Sequence, residues 1–440
     1  MIEYRRLPHQ KKVMQSTKTN IFLGAGLGAG KTNIGAGWVL QKVQDTPPGA
    51  VGLICANSYA QLIDSTIRNV FKNWKAWGQV FYPQEPPTSY RPFNIKILGP
   101  LGWVTILCRS LEYYEMLAGI EAAWSWCDEV YQTKPEAMDI ISARTRDKRV
   151  NNQMLFTTTL DSPDTWLYSR FVEKFNPDYD AVIYATTYDN PFLPEGYIDR
   201  LKASYDQRTF DRMVLSKWVT LAGANIYYNF DRSAHVDDSV FYDKNLPILW
   251  AHDFNIGVGK PMSSCLCQIK WRKYGEDKYG EEVRGQELHC FDEIILDSTD
   301  THGAISEFNG RYPKAGAENV IIYGDASGAA MDTRSRLTDY HILRQAGFNQ
   351  HRVPRANPPV RNRHNAVNAL LKNVAGDIRL KIHPRCKTVI KGLETVQIKK
   401  GSSYLEEETY SQHVTTALGY LVNQEFPVIQ YVSCGQRNWK

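Results

Sequence analysis

No stretch of the 440 residues is apolar for long enough to cross a bilayer, and the first twelve, "MIEYRRLPHQKK", lack the apolar core of a signal peptide. A protein of the cytoplasm is the expectation. Cysteine is sparse: eight are scattered along the chain, the closest pair being Cys265-x-Cys267. That spacing suits neither a zinc motif nor a disulfide framework, so they read as reduced packing residues. Extreme charge is missing too. A formal balance of +5 is too mild to demand a polyanionic partner, and the denser runs "RTRDKR" (144–149) and "RNRH" (361–364) read as solvated faces. What remains is an ordinary globular composition, 43% hydrophobic and 22% charged, on a chain long enough for two domains.

Against that background "IFLGAGLGAGKTN" (21–33) stands out, an apolar run breaking into a glycine-rich loop. Gly24, Gly26, Gly28 and Gly30 let backbone N–H groups turn inward and approach phosphate oxygens, with a helix N-terminus behind them. Lys31 is placed to reach the β- and γ-phosphates and Thr32 to hold Mg²⁺. Ala25 stands where the usual motif has its first glycine. Upstream, Gln10 offers the donor and acceptor that an adenine edge requires, or is simply an exposed glutamine.

Strand-like and helical runs alternate through the first half, as in a parallel sheet covered by helices. "AVGLICANS" (50–58) reads as a buried strand, "SYAQLIDSTIRNVFKNWKAW" (58–77) as one amphipathic helix, and "NIKILG" with "GWVTILCRS" as neighbouring strands. "EAAWSWCDEV" (121–130) is an apolar strand ending in Asp128-Glu129. After a phosphate-binding loop such an ending points to ATP hydrolysis: Asp128 for Mg²⁺, Glu129 for orienting and polarising the attacking water. "QMLFTTTLDSP" (153–163) ends a further strand in Thr157, Thr158 and Thr159, either a γ-phosphate sensor or ordinary strand threonines.

After about residue 225 the pattern changes. "PILWAHDFNIGVGKPMSSCLCQIKW" (247–271) reads as a strand carrying His252-Asp253, a glycine-bearing turn and a second strand. "ELHCFDEIIL" (287–296) is a third, and "NVIIYGDASG" (319–328) a fourth, ending in Asp325. Two aspartates in one sheet can converge on Mg²⁺ or Mn²⁺, as in two-metal nucleases. "TYSQHVTTALGYLV" (409–422) reads as a helix with Thr409 and Gln412 in a capping box and Val414, Ala417, Leu418 and Leu421 in one apolar stripe. His413, Thr416 and Tyr420 lie at its edge.

Together these segments resemble the large terminase subunit of tailed bacteriophages, through "GAGLGAGKT", "WSWCDEV", "TTYDNPFLPEGYIDRL", "WVTLAGANIYYNFD", "HDFNIG", "IIYGDASG" and "HVTTALGYLV". The resemblance implies an α/β chain: a P-loop ATPase core with a parallel sheet (1–175), a small lid (176–228) and an RNase H-like nuclease domain (229–440). It assigns Gly26, Gly28, Gly30, Lys31, Thr32, Asp128 and Gln10 to nucleotide and Mg²⁺, Glu129 to hydrolysis, and Asp253 and Asp325 to metal-dependent cleavage in Mg²⁺ or Mn²⁺. It further implies double-stranded DNA as track and substrate, a portal protein, a small terminase subunit, a homo-oligomeric ring on the procapsid and no membrane, inside an infected bacterium. Two departures matter. Leu27 stands where many relatives have an arginine, leaving Arg109, Arg144 or Arg146 to supply that charge. Thr416 stands where a third carboxylate is common, with His413 or Glu408 as substitutes, so a nuclease weak in Mg²⁺, less impaired in Mn²⁺ and strengthened by Thr416→Asp is expected.

Overall fold

The computed structural model describes residues 6–428 except 164, 220–224, 255–259, 277–281, 298, 330–336 and 400–403. The glycine-bearing turn expected within 247–271, and with it the end of "HDFNIG", lies outside the described residues. By contacts the chain forms two compact units, one from Met1–Ile198 and Arg208–Thr220, the other from Asp199–Gln207 and Leu221–Ile429. Among the described residues no helix is long and apolar enough to cross a membrane.

Unit 1 is built on eight strands: β1 (Asn20–Ala25), β2 (Val51–Ala56), β3 (Phe81–Tyr82), β4 (Phe93–Gly99), β5 (Gly102–Ser110), β6 (Trp124–Asp128), β7 (Gln153–Thr158) and β8 (Asp180–Ala185). Their order across the sheet is β3-β4-β5-β2-β6-β7-β1-β8. The inner strands are nearly continuous apolar runs, and they pair in parallel because helices cover both faces. In β4 burial alternates, Ile95 and Ile97 facing in and Lys96 and Leu98 out, which suits the antiparallel pair it makes with β5. Helix α1 (Pro8–Gln15) precedes β1, and α2 (Lys31–Gln44) follows the glycine loop. The helix expected over 58–77 is broken into Tyr59–Gln61, a π-turn at Leu62–Ile67, and Arg68–Ala76. The wider π-turn redirects the side chains that follow it.

Unit 2 carries β9 (Ile248–Asp253), β10 (Met262–Glu276), β11 (Glu282–Leu296), β12 (Val320–Tyr323), β13 (Gln350–His351) and β14 (Leu380–Ile382), in the order β13-β12-β9-β10-β11-β14. β9, β10 and β11 form an antiparallel meander, while β12 lies parallel to β9 and β13 parallel to β12. One face packs on α3 (Val360–Leu371), α4 (Lys387–Thr395) and α5 (Gln412–Glu425), with Leu249, Ala251, Val367, Leu370, Val414 and Leu418 in the core. The opposite face is filled by Trp250, Phe308 and Phe348. α5 is buried all round from His413 to Val422 rather than along one stripe. Nor does the capping box form. The helix starts at Gln412, whose side chain is drawn to Glu406 and Thr416.

Candidate functional site

β1 ends at Ala25, and the chain then turns through the glycine loop into α2. Gly30 caps that helix at φ 89°, a left-handed conformation that disfavours side chains. At Gly26 the reason is space: a Cβ there would lie 2.6 Å from the Val214 carbonyl oxygen. The loop is held from outside. Gly26 N–H donates to the Ala185 carbonyl (2.9 Å) and Leu27 N–H to that of Met213 (2.7 Å). Asn190 Nδ2 donates to the Gly28 carbonyl (2.6 Å), and the Ser216 hydroxyl to that of Gly24 (2.9 Å). α1 supports the loop's end: Gln10 Nε2 donates to the Gly30 carbonyl (3.2 Å), and its Oε1 accepts Leu7 N–H (3.0 Å). Helix α2 leaves the first N–H groups at Lys31 and Thr32 without intrahelical acceptors, the arrangement that receives anions.

Lys31 Nζ donates to the carbonyls of Ala25 (3.0 Å) and Gly26 (3.3 Å) and lies 3.5 Å from Glu129 Oε1. Parallel pairing of β6 with β7 sets Asp128 beside Thr157. Asp128 is 1% exposed and accepts hydroxyls from Thr157 (2.7 Å), Thr66 (2.9 Å) and Thr32 (3.3 Å). Burial, then the neighbouring Glu129 charge, pushes its pKa up to about 6, against the pull of the Thr157 and Thr66 hydroxyls and of Lys31. Glu129 has φ 52° and ψ 51°, uncommon for a residue with a side chain, and its Oε2 accepts both N–H (3.1 Å) and hydroxyl (3.3 Å) of Thr159. Thr157 and Thr159 therefore hold the two carboxylates. Thr66 carries no motif signal, since only the π-turn brings it to Asp128.

The arginines expected to replace the one missing at Leu27 lie variously. Arg109 donates to Phe93, Asn94 and Cys108 on the β4–β5 hairpin, Arg146 lies 3.8 Å from Glu121 at the surface, and Arg144 ends the helix Pro135–Arg144. A fourth arginine carries no motif signal. Arg212, next to Met213, is buried in an ion pair with Asp161 (3.0 Å).

In unit 2, parallel register pairs Tyr323 with Ala251, so Asp325 and Asp253, each two residues further on, reach the same sheet edge. Burial, opposed by hydrogen bonds from Ser327 and Gly328 and reinforced by the Asp253 charge, raises the Asp325 carboxyl above its ordinary value. α5 brings His413, whose Nδ1 lies 2.9 Å from Asp253 Oδ2. Thr416 turns to a different partner: its hydroxyl donates to Glu406 Oε2 (3.1 Å). Glu406 also meets His364 Nε2 (2.6 Å) and lies 3.8 Å from Arg363. Burial alone would raise its pKa, but His364 and Arg363 hold it down to about 2. Glu408, the other substitute named beside His413, is 61% exposed and paired with Lys260. An aspartate at 416 would face the Glu406 carboxylate, so the geometry runs against the expected gain from Thr416→Asp. Adjacent His252 packs between Trp250 and Phe254, and burial lowers its pKa to about 3.

The described cysteines are free and buried, as reduced packing residues are. Cys265, Cys267 and Cys290 bring their sulfurs within 4.8 Å of one another, a donor set able to hold a soft cation.

The chain thus has two α/β units, the first with a glycine loop facing a carboxylate pair and the second with two aspartates at one sheet edge. Residues 22–234 match the family model described as "Terminase large subunit, T4likevirus-type, N-terminal". A solved large terminase from a thermophilic bacteriophage shares the fold with a TM-score of 0.71 at 16% identity, over 96% of this chain and 99% of that one. Its complex with ATP-gamma-S gives 0.70 at 17% identity over 95% and 99%. No curated protein matches. The N-terminal half of the chain thus carries the large terminase signature, and nearly the whole chain has the fold of a phage large terminase.

Proposed function

We propose that this chain is a viral DNA-packaging motor that couples ATP hydrolysis to translocation of double-stranded DNA into a procapsid and cuts concatemeric DNA with a metal-dependent endonuclease. The observation carrying the reading is the convergence of Lys31 and Thr32 on Asp128 and Glu129. On this reading residues 1–175 are a P-loop ATPase core to which β8 (Asp180–Ala185) adds a strand, the rest of 176–228 a lid, and 229–440 an RNase H-like nuclease. The antiparallel meander flanked by parallel β12 and β13 supports the last assignment. Lys31 and the first N–H groups of α2 bind the phosphates, Thr32 and Asp128 hold Mg²⁺, and Gln10 reads adenine from beside Gly30. Glu129, positioned by Thr159, orients water and draws off its proton. The bound cation supplies charge neutralisation at the phosphates. That the large terminase of the thermophilic phage was solved with ADP and with ATP-gamma-S supports the nucleotide assignment. Double-stranded DNA, a portal, a small terminase subunit and a homo-oligomeric ring follow from the same resemblance.

In the second unit Asp253 and Asp325 hold the cutting metal, Mg²⁺ or Mn²⁺. The test pairs two assays on the whole protein. Lys31→Ala should abolish ATP hydrolysis and spare Mn²⁺-dependent plasmid cleavage, while Asp253→Asn should do the reverse. Loss of both activities in either folded variant would refute the division of chemistry.

A further inference from the structure

Packing explains a buried cysteine on its own, but four of them meet in unit 2. β10 carries Cys265 and Cys267 two residues apart, so both side chains stand on the face that packs against α3, α4 and α5. Even pairing would turn Cys290 of β11 to the opposite face. The pairing is uneven: Leu266 faces Asp292 and Cys267 faces Cys290, which leaves Phe291 as the extra residue of a bulge. That shift brings Cys290 to the side of the other two, and the three sulfurs lie within 4.8 Å of one another. A fourth arrives from the connection between β14 and α4, where Cys386 Sγ lies 3.9 Å from Cys290 Sγ. All four residues are 0% exposed.

The chemistry of the set points to one ion. Hydrogen bonds from Cys267 and then Cys290 hold the Cys265 thiol below its ordinary value in spite of burial, which favours a thiolate there. The 3.9 Å separation is close to the edge of a tetrahedron whose sulfurs stand about 2.3 Å from a central zinc, an edge of about 3.8 Å. Sulfurs this close enclose a single ion and not a polynuclear cluster. The neighbouring acids are engaged elsewhere. Glu293 accepts N–H from Thr388 and Val389 (2.8 Å each), and Asp292 meets Arg311 (3.2 Å) and Tyr312 (2.7 Å). The side-chain donors offered are therefore sulfurs, which select soft or borderline cations over Mg²⁺.

We propose that Cys265, Cys267 and Cys290, completed by Cys386, hold one structural Zn²⁺ that ties β10, β11 and the start of α4 together. Cys386 touches the trio through Cys290 and closes the fourth corner when the ion binds. Each thiol that becomes a ligand gives up its proton to solvent, and the dication takes the place of those protons. The site rests on neither the ATPase nor the nuclease reading, and it stands if either of them falls.

Zinc content tests it directly. The whole chain carrying Asp253→Asn/Asp325→Asn, so that those carboxylates contribute nothing, should keep about one equivalent of zinc through gel filtration. Adding Cys290→Ala should remove that equivalent. Adding Cys108→Ala instead, the same truncation at a buried cysteine of unit 1, should not. Co²⁺ given to wild-type chain expressed without zinc reads the ligands independently of any cysteine variant: sulfur-to-metal charge-transfer absorption should appear, and added zinc should abolish it. Thiols that merely pack would give neither zinc nor absorption. Absence of either signal, zinc retained by a folded Cys290→Ala protein, or copper in place of zinc would each overturn the assignment.

Discussion

Replacing Asp128 by asparagine should make the nucleotide-free protein more stable at neutral pH while removing its response to Mg²⁺ and ATP. The folded-state pKa of about 6 lies above the ordinary 3.8, so the native protein keeps a proton that the unfolded chain gives up. Stability linked to Asp128 is therefore fully present below pH 3.8 and lost as pH rises to about 6. That span corresponds to about 3 kcal/mol. The amide recovers less than all of it. Thr157 already accepts Trp126 Nε1–H (3.0 Å), so it must donate to the side chain at 128, which fixes the amide oxygen there. The amide nitrogen then faces Thr66 and Thr32, whose hydroxyls can turn to accept. Imperfect rearrangement costs about 1 kcal/mol, leaving a gain of roughly 1–2 kcal/mol, or about 3–6 °C for a domain of this size. Calorimetric melting in EDTA should show the gap between variant and wild type opening between pH 4 and 6 and levelling above. Mg²⁺ with ATP-γ-S should then raise the wild-type melting temperature alone. A variant no more stable than wild type at pH 7.5, or a gap flat across the acid range, would mean that Asp128 carries no burial cost and that the reasoning is wrong.

Two further outcomes follow from the same contacts. Glu129→Gln should retain nucleotide binding, read by fluorescent analogue titration, while ATP turnover falls by about a hundredfold or more, because phosphate contacts survive and proton acceptance does not; near-wild-type turnover would remove Glu129 from the role. Thr416→Asp should lower the melting temperature and leave plasmid cleavage no stronger, since it sets a carboxylate against Glu406, and adding Glu406→Gln should restore stability; an unaided gain in cleavage would show that the Glu406 contact gives way.

Asp128, Asp253 and Asp325 were legible in the sequence because each closes or follows a buried apolar run, and the end of such a run is where a parallel sheet presents side chains. Lys31 and Thr32 were legible because the glycines before them serve backbone geometry alone. Thr66 was not, since its approach to Asp128 depends on a π-turn inside what reads as an unbroken amphipathic helix. Glu406, Arg363 and His364 were hidden for another reason: forty-two residues separate His364 from Glu406, and either side of the pair alone looks like surface charge. Cys290 likewise joins Cys265 and Cys267 only through the β10–β11 register. The capping box failed where a local pattern met a stronger tertiary demand, the pull of Glu406 on Gln412.

The position of Lys31 bears on which ligands the loop admits. Its ammonium is satisfied by two carbonyls and a carboxylate of its own chain. A phosphate must therefore compete with an interaction already in place. On the ATPase reading a monophosphate has too little charge to do so, whereas a triphosphate brings enough, and in drawing Lys31 away it frees Glu129 from its counter-charge. The same displacement would arm the base, so that chemical readiness becomes a consequence of occupancy.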